Sequence, residues 1–272
     1  MKLYIYWWEK PNSDGYGNYG DILAPYLANK LSKKEIVKVE HPMKWKYRFF
    51  FKHPLYVTVG SIIKEASKKS IVWGSGIIKK NEKVKNATFL AVRGPRTRAR
   101  LIELGYKVPE VYGDPALLLP NFIKNDVEKK YELGIIPHYV DYEEIVKIFS
   151  GDSRVKIINL MTDDVEKTTR EILECKKTVS SSLHGVIISQ SYSIPSLWVK
   201  FSNKLAGDNI KFFDYFESVG INSAKEIIVP TQEMNYERFM ELFETDGEQS
   251  MPNMELMELR KNQLLSSCPF KE

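Results

Sequence analysis

Cysteine is nearly absent from this chain of 272 residues: Cys175 and Cys268 are the only two, and they lie far apart. Two distant thiols exclude a disulfide framework and a cluster of closely spaced thiolates on a metal, so both are expected to be free in a reducing compartment. Long apolar runs are missing as well. Nothing approaches the ~20 apolar residues of a membrane span. The apolar start, Met1-Lys2-Leu3-Tyr4-Ile5-Tyr6-Trp7-Trp8, runs at once into Glu9-Lys10-Pro11-Asn12, without the apolar stretch or small-residue cleavage site of a signal peptide. The expectation is a cytoplasmic protein with no transmembrane segment, whose route to a membrane is peripheral association at the inner face. No repeat of fixed period and no low-complexity tract occurs, which argues against a solenoid or a scaffold of linear motifs. A strong charge bias is also lacking: 40 basic against 35 acidic residues leave a net +5, with the lysines scattered, as on a solvated surface. One stretch, residues 42–54, interleaves Trp45, Tyr47, Phe49, Phe50 and Phe51 with basic residues. It reads either as a packed helix or loop or as a surface for a sugar or a lipid-linked acceptor. No such stripe persists beyond it, so nucleic acid is not an expected partner.

What the chain does have is 43% hydrophobic residues, enough for two cores of ordinary size. Short apolar runs alternate with helix-like stretches, the pattern of parallel sheets covered on both faces. In the first half, strands are expected at 3–8, 56–59, 70–73, 88–92 and 110–112, with helices at 21–31, 61–66 and 95–104, the last closed by Gly105 as a left-handed cap. A stretch rich in lysine and acidic residues follows, and a second run then places strands at 132–137, 155–160, 177–180 and 196–200. Its helices fall at 142–149, 163–175, 183–192 and near 209–219. The expected fold class is α/β, two Rossmann-like αβα domains facing a cleft. Residues 1–120 form the first domain, 121–131 the linker and 132–234 the second, while a helical segment, 235–272, packs back on the first. In such sheets ligands sit at the carboxyl ends of the strands.

The candidate site residues stand at those ends. Asn18-Tyr19-Gly20-Asp21 follows the first strand and opens a helix. Glycine there lets backbone approach a ligand, and Asp21 serves as a base, a sugar-hydroxyl acceptor or simply an N-cap. Gly74-Ser75-Gly76 ends another strand, either as a receiver of phosphate or carboxylate or as a tight exit that needs glycine anyway. Arg93 comes next, at a strand end before Pro95, placed to grip an anion with two parallel hydrogen bonds. Asp114, in Gly113-Asp114-Pro115, either contacts sugar hydroxyls, orients Arg93 or makes a turn. His138 and Asp141 leave the second domain's first strand. Ser180-Ser181-Ser182-Leu183-His184-Gly185 carries three hydroxyls into a helix start, with His184 in the first turn as a proton donor suited to near-neutral pH.

In this order, Asn18-Tyr19-Gly20-Asp21, Gly74-Ser75-Gly76, Arg93-Gly94-Pro95 with Thr97, Gly113-Asp114-Pro115-Ala116, Pro137-His138, and Ser182-Leu183-His184-Gly185 with Ile194-Pro195 resemble the polysaccharide pyruvyl transferase family. The resemblance implies a glycosyltransferase-B-like fold and transfer of a pyruvyl group from phosphoenolpyruvate onto two hydroxyls of one sugar, as a cyclic ketal. The setting it implies is capsule, exopolysaccharide or another bacterial surface glycan, with an acceptor free or lipid-linked and no cofactor or metal. On this reading Arg93, the 180–182 helix start and the 74–76 loop hold the donor, His184 protonates its methylene carbon, and Asp21 or Asp114 takes the hydroxyl proton. One departure is that many members carry arginine two residues before the motif histidine, where this chain has Ser182; either Arg93 with Lys200 or another basic group replaces it, or the chain belongs to a branch with a different donor or acceptor. A nucleotide-sugar-dependent glycosyltransferase and a non-catalytic glycan- or anion-binding protein stand as alternatives.

Overall fold

The computed structural model describes residues 2–8, 15–40, 53–204 and 207–270. Most of the aromatic and basic stretch at 42–54 lies outside the described residues. The described residues form two five-stranded sheets, and every pairing in both is parallel. The first contains β1 (Lys2–Tyr6), β2 (Glu35–Lys38), β3 (Leu55–Val57), β4 (Ser70–Trp73) and β5 (Thr88–Ala91), in the order β2-β1-β3-β4-β5. The second contains β6 (Tyr131–Ile136), β7 (Val155–Ile157), β8 (Cys175–Ser180), β9 (Ser196–Lys200) and β10 (Ile227–Ile228), in the order β10-β9-β8-β6-β7. Counted from its own first strand, each sheet therefore has the order 2-1-3-4-5. In a doubly wound sheet of this order the connections diverge between the first and third strands, leaving a crevice at their carboxyl ends.

Helices cover the sheets because parallel neighbours need crossover connections. Among the described residues they are α1 (Tyr19–Ser32), α2 (Pro95–Glu103), α3 (Tyr142–Ile148), α4 (Val165–Leu173), α5 (Leu183–Ser191), α6 (Ile210–Ser218), α7 (Tyr236–Thr245) and α8 (Met254–Ser266). Side-chain caps set several of their starts: Asn18 for α1, Asp164 for α4, Asn235 for α7 and Asn253 for α8. Among the described residues, no helix is long and apolar enough to cross a membrane.

One hydrophobic cluster runs through both sheets, joining Leu3, Ile5 and Leu23 of the first unit to Ile136, Ile158 and Val186 of the second. The segment between the units is fastened as well, since Lys129 Nζ donates to the carbonyls of Leu173 and Cys175, each at 2.8 Å. The C-terminal helix packs on the first sheet: Trp73 Nε1 donates to Leu264 O at 3.1 Å, and Phe270 meets Trp73 and Tyr56 edge-on.

Candidate active site

The crevices of the two sheets open onto one another. Tyr19 N donates to Leu160 O at 2.7 Å and Thr162 N to Gly17 O at 2.9 Å, so the loop after β1 pairs with the loop after β7. Gly20 then lies directly against the imidazole of His184, where a Cβ would overlap Nδ1, and Gly60, after β3, stands beyond the same ring. The loops after β1 and β3, at the first sheet's divergence point, thus meet the loop after β8, at the second's. The chain needs glycine at position 20 for this approach.

His184 sits in the first turn of α5 with a side chain 13% exposed. Its Nε2 is 3.6 Å from Asp114 Oδ2, an ion-pair distance too long for a hydrogen bond. Among the described residues, neither atom has another partner. Asp114 is fully buried, and its other oxygen accepts from Ala116 N at 3.0 Å, capping the following 3-10 turn. The carboxylate is therefore fixed, and it faces the imidazole instead of Arg93.

Asp21 lies in the first turn of α1, and Asn18 Oδ1 takes the capping role by accepting from Gly20 N at 3.0 Å. Burial pushes the Asp21 carboxyl up to about 7, against the opposing pull of His184 and Lys211. Lys211, in the first turn of α6, is the residue that the sequence reading missed. Burial lowers its ammonium to about 8, with Arg93 adding to the shift and Asp21 opposing it. His138 is also held low, to about 4, by burial first and Lys211 second, so its ring is neutral near pH 7, and among the described residues its buried Nδ1 has no partner. Burial thus shifts three titratable groups, Asp21, His138 and Lys211, and Lys211 also acts on the charge of the other two, a combination concentrated at functional sites.

Other candidates have structural places. Arg93 is fully buried: Nε bonds Asp214 Oδ2 at 3.0 Å, Nη1 bonds Ser61 Oγ at 2.6 Å and Nη2 bonds Ile77 O at 2.6 Å. It stands behind the cleft, and the expectation of a clamp on an external anion is revised accordingly. The 74–76 loop spends its donors internally, Gly74 N on Ala91 O, Gly76 N and Ser75 Oγ on Gly60 O. Its glycines make room for Pro115 and for the Arg93 guanidinium, not for a phosphate. Ser180 Oγ is saturated by Ile136 O, Ser182 O and Ser182 N, and Ser181 Oγ accepts from His138 N at 2.8 Å. Ser182 is the N-cap of α5 and makes no side-chain capping bond. Lys200 is paired with Glu226 at 3.2 Å. The signal for Lys211 was present in Ile210-Lys211-Phe212-Phe213-Asp214-Tyr215-Phe216: two charges three residues apart within an otherwise apolar run.

A sequence profile of the family described as polysaccharide pyruvyl transferase matches residues 18–203. The chain is 36% identical over 214 residues to the uncharacterized protein L143 of Acanthamoeba polyphaga mimivirus, covering 75% of this chain and 71% of that protein. It is 23% identical over 232 residues to the succinoglycan biosynthesis protein ExoV of Rhizobium meliloti (strain 1021), covering 79% of this chain and 65% of that one. Among solved structures, the E. coli heptosyltransferase WaaC with ADP superposes with a TM-score of 0.39 at 11% identity, over 93% of this chain and 100% of that chain.

Proposed function

The chain belongs to the polysaccharide pyruvyl transferase family, and from that premise we propose that it moves a pyruvyl group from phosphoenolpyruvate onto two hydroxyls of one sugar in a surface glycan or its precursor. The observation that carries this reading is the meeting of His184, Asp114, Asp21 and Lys211 where the two crevices face each other.

The donor's negative charge is held by Lys211 and by the unpaired N–H groups at the start of α5, with the Ser182 hydroxyl beside them. His184, oriented by Asp114, gives a proton to the methylene carbon, and positive charge develops on the neighbouring carbon. A sugar hydroxyl attacks that carbon as Asp21 takes its proton. The C–O bond to phosphate then breaks, and the proton on Asp21 leaves with the phosphate. The second hydroxyl closes the ketal and returns its proton to His184, so donor and diol become ketal and hydrogen phosphate with both side chains restored. The reaction so written is carried by these side chains.

Thermal unfolding with and without ligand tests the reading, because a ligand selective for the folded state raises the melting temperature. Phosphoenolpyruvate stabilises the wild type, more than inorganic phosphate does, and the effect is lost in Lys211→Met. Stabilisation by uridine diphosphate with no response to phosphoenolpyruvate would overturn pyruvyl transfer in favour of glycosyl transfer.

A further inference from the structure

Arg93 and Asp214 form an ion pair in which both side chains are 0% exposed, and neither reaches the cleft. Asp214 accepts three hydrogen bonds, all from the segment that opens α2: Arg93 Nε at 3.0 Å, Thr97 N at 2.8 Å and Thr97 Oγ1 at 2.6 Å. The threonine oxygen is itself held, accepting from Ile77 N at 3.1 Å. Gly94 leaves no room for a side chain because the Asp214 backbone fills that space. Further along the helix pair, Arg96 reaches Glu217 Oε1 through two nitrogens, at 2.6 and 2.9 Å, and lies over the Phe213 ring at 4.8 Å.

By sequence α6 lies between β9 and β10 of the second sheet, yet these bonds give it a fixed height and rotation against the first. Buried ion pairs are weak sources of net stability, because desolvation offsets most of the attraction. What this one supplies is position. Lys211 stands three residues before Asp214, so the two side chains leave the helix on one side, about a turn apart. A slip of one residue along α6 would move Lys211 by about 1.5 Å and turn it by about 100°, taking its charge away from Asp21.

We propose that Thr97, Arg93 and Asp214 are positioning residues that aim Lys211 at the donor's anion, so that donor affinity depends on the latch between α2 and α6. This rests on the reading of Lys211 as the donor's anion contact. The test is calorimetric titration of phosphoenolpyruvate into the full chain for wild type, Thr97→Val, Thr97→Ser, Lys211→Met and the Thr97→Val, Lys211→Met double variant. Valine keeps the volume and removes the hydroxyl; serine restores it.

Lys211→Met weakens binding about ten- to a hundredfold, the range of a lost charge-assisted contact. Thr97→Val weakens it about three- to tenfold and Thr97→Ser less than about twofold. The double variant binds as weakly as Lys211→Met alone, because two changes acting through one group do not add. A merely structural threonine would lower the melting temperature without this non-additivity. Multiplying losses in the double variant, or wild-type affinity in Thr97→Val, would overturn the proposal while leaving the donor site standing. A wild type that binds neither phosphoenolpyruvate nor inorganic phosphate would overturn both. Thr97→Ala takes the place of valine, with the same expected pattern, if valine blocks folding.

Discussion

Asp21 and Lys211 oppose each other in sign and in shift. The Asp21 carboxyl is raised to about 7, chiefly by burial, and the Lys211 ammonium is lowered to about 8, again chiefly by burial. As a base Asp21 must be ionised, which favours activity above about pH 7, and as an anion contact Lys211 must be protonated, which favours it below about pH 8. Turnover therefore follows a narrow bell whose limbs belong to the coupled pair. Asp21→Asn abolishes most of the activity and, with it, the acidic limb in what remains. The same substitution affects stability in the other direction. In the unfolded chain the carboxyl titrates near its ordinary value of 3.8, so the folded state binds the extra proton between there and about 7. Stability present at low pH is lost as pH rises through that window. Asp21→Asn consequently raises the melting temperature more at about pH 8 than at about pH 4, and equal gains at both would show that the carboxyl is well solvated. Asp21, Asp114 and His184 were legible because each ends a strand or opens a helix, where chain-local pattern is strong. The apolar run around Lys211 marked that charge as unusual but could not place it, since it acts on Asp21 only when α6 packs across the units. The burial of Arg93 was equally hidden, its partner lying 121 positions away.

At the scale of elements, the pairing of α2 with α6 sets a stability experiment apart from the binding one. Removing one member of a buried ion pair leaves an uncompensated charge, so Arg93→Met costs about 3–5 kcal/mol. Removing both members leaves none. Arg93→Met combined with Asp214→Leu therefore recovers most of that loss in urea unfolding, though Thr97 and Ser61 lose partners. If the double variant is as unstable as the sum of the singles, the pair is not the dominant interaction. The apolar strands were readable to within two or three residues: β4 at Ser70–Trp73 and β9 at Ser196–Lys200 match the expected limits, while β7 stops at Ile157, three residues short of its expected end. The misses have a common cause in edge positions and short pieces. β2 is Glu35–Lys38, a partly exposed edge strand without an apolar run, and β10 is two residues long. The expected strand at 110–112 is a single bridge between Val92 and Tyr112, and the expected helix at 61–66 is a 3-10 turn at Ile63–Glu65. In both places the local pattern was sound, but too few residues were available to extend the ladder or the helix.

The two sheets share the order 2-1-3-4-5 although the sequence shows no repeat, so the duplication is one of topology. A protein of two such units is expected to hinge unless the surface between them is large and apolar. Here the main cluster is continuous across both, and the C-terminal helix adds contacts to the first sheet while Asn253 N and Arg260 Nε bond the carbonyls of Val219 and Ser218, at the end of α6. The cleft is thus bounded by parts that unfold together. Calorimetry accordingly gives one transition whose calorimetric and van't Hoff enthalpies agree, and two resolved peaks would refute it. Phe270→Ala sharpens the point, since the ring is 2% exposed against Trp73 and Tyr56 at the far end of the chain from both. Its loss costs about 3–5 kcal/mol, as for other buried Phe→Ala changes. If the units are one cooperative body, the single transition moves down whole and donor binding persists below it. If they are separable, the first unit melts early, leaving a second transition at the wild-type temperature and a weakened donor site, because the α2 latch that aims Lys211 is lost with the first sheet.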